Sequence, residues 1–304
     1  MKKVIVILVL CLAPSLAFCQ HKVKDTIKIF YLGGQSNMEG FGYNAELPEN
    51  LNQEFKNVWI FHGNAVPDEN PTGGQGAWDT LKPGHGIGFS GYQSKNKLSN
   101  RFGVELSFAK RLQDLYPNEK IAIIKYARNG ASIDSLAAWK FGSFEPDYIG
   151  KTGINQYDHF LNTIKNALAD KDIDKNGKQD FILPMGIIWM QGESDSDKTE
   201  EIATNYYSHL KRLMDLMRAS LHTDDLPVVI GKISDSHNDE DGKVWDFGEL
   251  VQYAQEKYAK TDKKAAIVRS TRNYNYSDRW HYDSSGYIDL GEKFAEAVYQ
   301  LNKK

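Results

Sequence analysis

Six apolar runs rich in β-branched residues recur at residues 26–33, 58–61, 120–127, 183–190, 226–233 and 265–270, with helix-period segments between several of them. Phe108, Ala109, Leu112, Leu115 and Tyr116 fall on one helical face, and Tyr206, Leu210, Leu213, Met214 and Met217 fall on another. A third stripe, Tyr287, Leu290, Phe294, Val298 and Leu301, follows a helix start at Ser284 or Ser285. Side chains repeat every 3.6 residues on a helix and every two on a strand, so the two patterns separate cleanly. Alternating strands and helices predict an α/β fold: a three-layer α/β/α sandwich on a mainly parallel sheet. There is no internal repeat and no low-complexity tract. Residues 62–101 break the alternation. They hold many glycines with Trp78, Phe89 and Tyr92 interspersed, which predicts an ordered surface loop beside a site. Stacking on a ligand and ordinary loop anchoring are the two roles open to those aromatics.

Three of the apolar runs close on glycine and polar residues. Ile27 to Leu32 leads into Gly33-Gly34-Gln35-Ser36-Asn37-Met38. Ile121 to Ala127 leads into Arg128-Asn129-Gly130-Ala131-Ser132, and Met185 to Met190 into Gln191-Gly192-Glu193-Ser194-Asp195. Open parallel sheets place their sites at these carboxyl ends, and glycine lets backbone turn sharply and approach a substrate. A serine there is a candidate nucleophile, although a helix N-cap is the plainer role. Far downstream, Asp278-Arg279-Trp280-His281 sets a carboxylate three residues before a histidine. Asp278 can bond one ring nitrogen of His281 and leave the other to take the Ser36 proton. The chain order is Ser, Asp, His, and Met38 stands where a Gly-x-Ser-x-Gly elbow has its second glycine. Acyl transfer also needs donors aimed at an oxyanion. The N–H groups of Ser36 and Gly130 and the Gln191 side chain are the candidates. Glu193 is a rival partner for His281, or a brace of its own turn. His237, flanked by Asp235 and Asp239, is the best rival histidine, and turn chemistry is the simpler account of it.

Together, Gly34-Gln35-Ser36-Asn37-Met38, Asn129-Gly130-Ala131-Ser132, Trp189-Met190-Gln191-Gly192-Glu193-Ser194-Asp195 and Asp278-x-x-His281 resemble the SGNH/GDSL-type esterases. More closely they resemble the sialate O-acetylesterase and acetylxylan esterase group of carbohydrate esterase family six. The resemblance implies a flavodoxin-like SGNH fold and a serine esterase that removes O-acetyl groups from carbohydrate through an acetyl-serine. It assigns catalysis to Ser36, Asp278 and His281, the oxyanion to Ser36, Gly130 and Gln191, and a lining role to Gln35, Asn37, Asn129, Glu193 and Arg128. Gln191 stands where most SGNH members carry asparagine, and Arg128-Asn129-Gly130 stands where relatives often pair glycines. Acetylated xylan or another plant polysaccharide competes with acetylated sialic acid as substrate. The latter asks for a cation such as Arg128, Arg101 or Arg272. A carbohydrate-binding protein with little turnover, or a broad short-chain carboxylesterase, are the alternatives.

The first residues read as a processing signal. Lys2 and Lys3 precede an apolar run from Val4 to Leu12, too short to span a bilayer, and Ala17-Phe18-Cys19 fits a cleavage site before Gln20. The expected organisation is a signal peptide over 1–19 and one esterase domain over 20–304, exported to the periplasm or beyond. A lipoprotein anchored at Cys19 is the competing expectation. Both cysteines, Cys11 and Cys19, lie in the leader, so the mature chain has no disulfide, thiolate metal site or cysteine nucleophile. The net charge of −3 comes with scattered basic residues, which predicts a neutral carbohydrate partner and no nucleic acid, and no second apolar run is long enough for a transmembrane segment. A serine mechanism needs no cofactor. Separately, Asp172, Asp174, Asn176, Lys178 and Asp180 match the first nine places of a calcium loop. Leu183 stands where an EF-hand places its bidentate glutamate. Structural calcium and a polar turn are both open readings.

Overall fold

Every one of the six apolar runs is a strand in the computed structural model, which describes residues 25–92, 95–150 and 153–303. The leader expected over 1–19, with Cys11 and Cys19, lies outside the described residues. In chain order the elements are β1 (Thr26–Gly34), α1 (Ser36–Glu39), β2 (Gly42–Tyr43), β3 (Val58–His62), β4 (Trp78–Thr80), β5 (Ser90–Tyr92), β6 (Lys95–Lys97), β7 (Arg101–Phe102) and α2 (Glu105–Leu115). Then follow β8 (Lys120–Ala127), α3 (Gln156–Ala169), β9 (Phe181–Met190), α4 (Glu200–Ser220), β10 (Val228–Gly231), α5 (Gly248–Thr261), β11 (Ala265–Val268) and α6 (Ser284–Asn302).

The main sheet has the order β11-β10-β9-β1-β8-β3-β4 and is parallel except for the edge strand β4. Its centre is β1, paired with β8 on one side (Gly34 beside Ala127) and β9 on the other (Gly34 beside Met190). Pro184 of β9 has no N–H to give the ladder, and the register against β1 shifts between Ile29 and Phe30 beside it. Successive strand residues face opposite sides. Phe30 meets Phe108 of α2 edge-on at 5.4 Å, and Tyr31 meets Phe160 of α3 at 4.9 Å. Helices therefore cover both faces, giving the three-layer α/β/α arrangement that the alternation predicts. Because β8 and β9 flank β1 from opposite sides, the chain leaves the carboxyl end of β1 at a switch point of the sheet, where such folds open a crevice.

Residues 62–101 differ from the expected single loop. They contain the antiparallel edge strand β4, the hairpin β5–β6, and β7, which pairs with β2. These strands are two or three residues long, too short to carry a period. Trp78 packs on Phe61 and donates its Nε1–H to Ala167 O at 2.9 Å. Phe89 stacks on the buried His62 ring. Both aromatics are anchors.

Candidate active site

Gly34 is the hinge that brings Ser36 to the end of β1. Its φ is +143°, and a Cβ there would stand 1.9 Å from Met190 O, so no larger residue fits. Gln35 N–H then bonds Met190 O at 2.9 Å, and the Gln35 Oε1 accepts from the Gly192 and Ser194 N–H groups and from Gln191 Nε2. These contacts lock the Ser36 turn to the end of β9. Asn37 ties the same turn elsewhere. It donates to Glu193 Oε1 at 2.8 Å and to Trp280 O at 3.3 Å, and accepts from Tyr287 OH at 2.8 Å and Tyr282 N–H at 3.3 Å. The residue after the candidate nucleophile thus fixes the loop that carries His281.

His281 is buried, and its Nδ1 lies 2.7 Å from Asp278 Oδ2. The other Asp278 oxygen accepts from the Trp280 and His281 N–H groups at 2.7 and 2.8 Å. The imidazole also stacks on Phe41, with centroids 3.6 Å apart. Asp278 therefore fixes ring orientation and tautomer and leaves Nε2 available. Burial pulls the His281 pKa below its ordinary 6.5, partly countered by Asp278. For Asp278, burial raises the pKa, but the hydrogen bonds from His281 and from backbone N–H groups outweigh it and hold the carboxyl below the usual range. At neutral pH this gives a neutral imidazole beside a carboxylate.

The third strand end belongs to β8. Glu39, buried in the Ser36 turn, accepts from Asn129 N–H at 2.6 Å. Asp195, buried after β9, accepts from Ile133 N–H, Asp134 N–H and Gln191 Nε2. Burial pushes Asp195 up to about 7 against these donors. Glu39 holds the Asn129-Gly130 turn at its first residue, and Asp195 holds the chain after it at Ile133 and Asp134. Gly130 has φ +73°, and a Cβ there would strike the Phe141 ring at 2.4 Å. Among the described residues, the N–H groups of Ser36 and Gly130 have no acceptor.

Ser36, His281, Asn129, Gly130 and Gln35 line one cavity of about 400 Å³, walled by Trp139, Phe141, Trp245 and Trp280. Ser36 Oγ has no hydrogen-bond partner among the described residues, and before substrate binds, catalytic hydrogen bonds are often long. Trp139 and Trp280 are exposed at the rim. Lys198, ion-paired with Asp197, is the cation on the lining.

Several expected site residues stand elsewhere. Gln191 is fully buried off the cavity. Its Nε2 hydrogens are engaged by Asp195 Oδ2 (2.6 Å), Gln35 Oε1 (3.2 Å) and Ala131 O (3.2 Å), and its Oε1 accepts from Tyr206 OH. This corrects the oxyanion assignment: an amide with two hydrogens and three acceptors has none to spare. Glu193 and Asn37 are braces behind the wall, and Glu193 contacts Asn37 rather than His281. Arg128, Arg101 and Arg272 do not line the cavity either; Arg101 donates to Phe41 O and covers the Tyr43 ring at 3.5 Å. His237 is exposed and bonds Gly242 O, while Asp235 caps the Val244 and Trp245 N–H groups. The braces Glu39 and Asp195 and the aromatics Trp139, Phe141, Trp245 and Trp280 were not singled out as site residues from sequence. The one available signal was adjacency to the motifs, as with Trp280 beside His281.

A nucleophile candidate at the end of the central strand, with a histidine–aspartate pair from the loop before the last helix, defines an SGNH/GDSL-type hydrolase. Residues 26–300 match the family described as carbohydrate esterase, sialic acid-specific acetylesterase. The chain belongs to that family and is a carbohydrate O-acetylesterase. Among solved structures, a protein from Arabidopsis thaliana is similar at 17% identity and TM-score 0.61, over 91% of this chain and 98% of that one. A carbohydrate acetylesterase from Xanthomonas citri is similar at 17% identity and TM-score 0.58, over 91% of this chain and 57% of that one. NanS is similar at 15% identity and TM-score 0.56, over 91% of this chain and 98% of that one. At such identities the likeness is one of fold. No curated protein matches the chain.

Proposed function

We propose that the protein is exported and deacetylates carbohydrate through an acetyl-serine formed on Ser36. The carrying observation is one cavity that holds the Ser36 hydroxyl, the Asp278-bonded His281 ring and the unspent N–H groups of Ser36 and Gly130. His281 Nε2 takes the Ser36 Oγ proton as the oxygen attacks the acetyl carbonyl. The two N–H groups stabilise the oxyanion. His281 then gives the proton to the departing sugar oxygen. Water, deprotonated by the same nitrogen, attacks the acetyl-serine and releases acetate. The tryptophans of the rim suit the apolar faces of sugar rings.

The experiment is hydrolysis of p-nitrophenyl acetate, butyrate and octanoate by the purified chain and by Ser36→Ala. Acetate-selective turnover that vanishes in the variant is expected. A folded wild type no faster than the variant overturns the reading and leaves sugar binding without turnover. Acetate release from O-acetylated xylan against O-acetylated sialic acid then assigns the sugar. Lys198 supports the sialate arm as a cation for its carboxylate, and Asp197 beside it weakens that support.

A further inference from the structure

The segment from Asp172 to Asp180 joins α3 to β9 and takes no part in the esterase site. It lies at the amino end of the sheet, beside Asp25 before β1 and Lys120 at the start of β8. The cavity is at the carboxyl end, one strand length away, or about 30 Å for nine residues of β1. Lys175 at φ +59° and Gly177 at φ +80° fold the loop back on itself. One carboxylate oxygen from each of Asp172, Asp174 and Asp180 lies within 4.8 Å of the others.

Three like charges at that separation repel unless something offsets them. Lys120 offsets Asp174, at 2.6 Å, and shares itself with Asp25 at 3.0 Å. Among the described residues, Asp172 and Asp180 have no cationic partner. Asp172 accepts the N–H groups of Asn176 and Gly177, each at 2.9 Å. Asp180 is only 8% exposed. Its Oδ2 accepts Ile173 N–H at 2.7 Å, and its Oδ1 is buried without any hydrogen-bond partner. A buried carboxylate oxygen left bare is costly, and in a cluster of further oxygens its natural complement is a hard cation. The donor set is all oxygen, which selects calcium or magnesium over zinc. A loop that supplies several oxygens without an octahedral frame suits calcium, since magnesium demands that frame and keeps its waters.

We propose that Asp172, Asp174 and Asp180, with the Asn176 side-chain oxygen that accepts Lys178 N–H at 2.9 Å, form a structural calcium site pinning the α3–β9 connection to the amino end of the sheet. Leu183 stands where a bidentate glutamate would strengthen binding, so affinity falls in the weak range of extracellular modules, about 10⁻⁴–10⁻³ M.

The purified chain, stripped with EDTA, is titrated with calcium chloride in a calorimeter and melted with and without 10 mM calcium. One saturable binding event is expected, with Tm raised by about 3–6 °C. Hydrolysis of p-nitrophenyl acetate at 25 °C should change less than about twofold, because the site is remote from Ser36. Asp180→Asn and Asp172→Asn, each checked for native circular dichroism, should lose the calcium-dependent Tm rise. Absence of saturable heat in the wild type together with an unchanged Tm overturns the proposal. So does an equal rise with magnesium, or a calcium rise that persists in both variants.

Discussion

At the residue scale, the site depends on protons held in particular places. Burial lowers the His281 pKa below 6.5, so the neutral base survives to lower pH than a solvent-exposed histidine would allow. The acidic limb of kcat/KM for p-nitrophenyl acetate should therefore fall below pH 6.5. Asp278 raises the pKa that burial lowers, so Asp278→Ala should move the limb further down. It should also cut kcat by about 10⁴-fold, as loss of the orienting acid does in such triads. A limb moving upward would contradict the assigned pairing. The rim tryptophans act on binding instead. Trp139→Ala should raise KM for acetylated carbohydrate by roughly 2- to 10-fold, the ratio of one aromatic contact. Turnover of p-nitrophenyl acetate should stay within about twofold.

At the element scale, three strand ends are joined by buried polar side chains. Asn37 connects α1 to Glu193, to the His281 loop and to α6. Asn37→Ala leaves buried partners unmet, so stability should fall by about 2–4 kcal/mol in urea unfolding. Esterase activity should fall as well, because the His281 loop loses its tether to the Ser36 turn. Glu193 offers a pH test of the same network. Burial raises its pKa above 4.5, against the Asn37 hydrogen bond, so ionisation above that value weighs against the folded state. Glu193→Gln is free of that effect. Its stability relative to wild type should therefore improve as pH rises from 4.5 through the folded pKa, read as denaturation midpoints over that range.

At the scale of the whole molecule, a charge lies inside the fold. Lys125 of β8 is fully buried, donating to Glu105 Oε2 (2.8 Å), Glu39 O (2.9 Å) and His85 O (2.8 Å). It bonds α2, the Ser36 turn and the 62–101 segment together. Lys125→Met keeps the bulk and strands the Glu105 carboxylate, so unfolding free energy should drop by about 3–5 kcal/mol. A Lys125→Met, Glu105→Leu double variant should recover much of it, which separates the cost of a stranded charge from lost packing.

The strands were legible because apolar β-branched runs bury themselves wherever they stand. All six appear within a few residues of their expected bounds, and α6 begins at Ser284 with Asp283 as its cap. Local chemistry also placed Asp278 against His281, since three residues of loop suffice to close that contact. The short strands of 62–101 escaped notice because two or three residues carry no period, and β7 takes its partner β2 from far away in the sequence. For Gln191 the missing information was packing. Its motif located it at a strand end, but only the packed interior, with Asp195, Gln35 and Tyr206 already competing for its amide, decided that it braces the cavity from behind. The sequence by itself determined which elements form and which chemical groups sit at their ends, because those depend on local periodicity and spacing. The tertiary structure alone decided which groups reach the cavity and which hold its walls, because hydrogen bonds between residues more than a hundred positions apart exist only once the sheet has assembled.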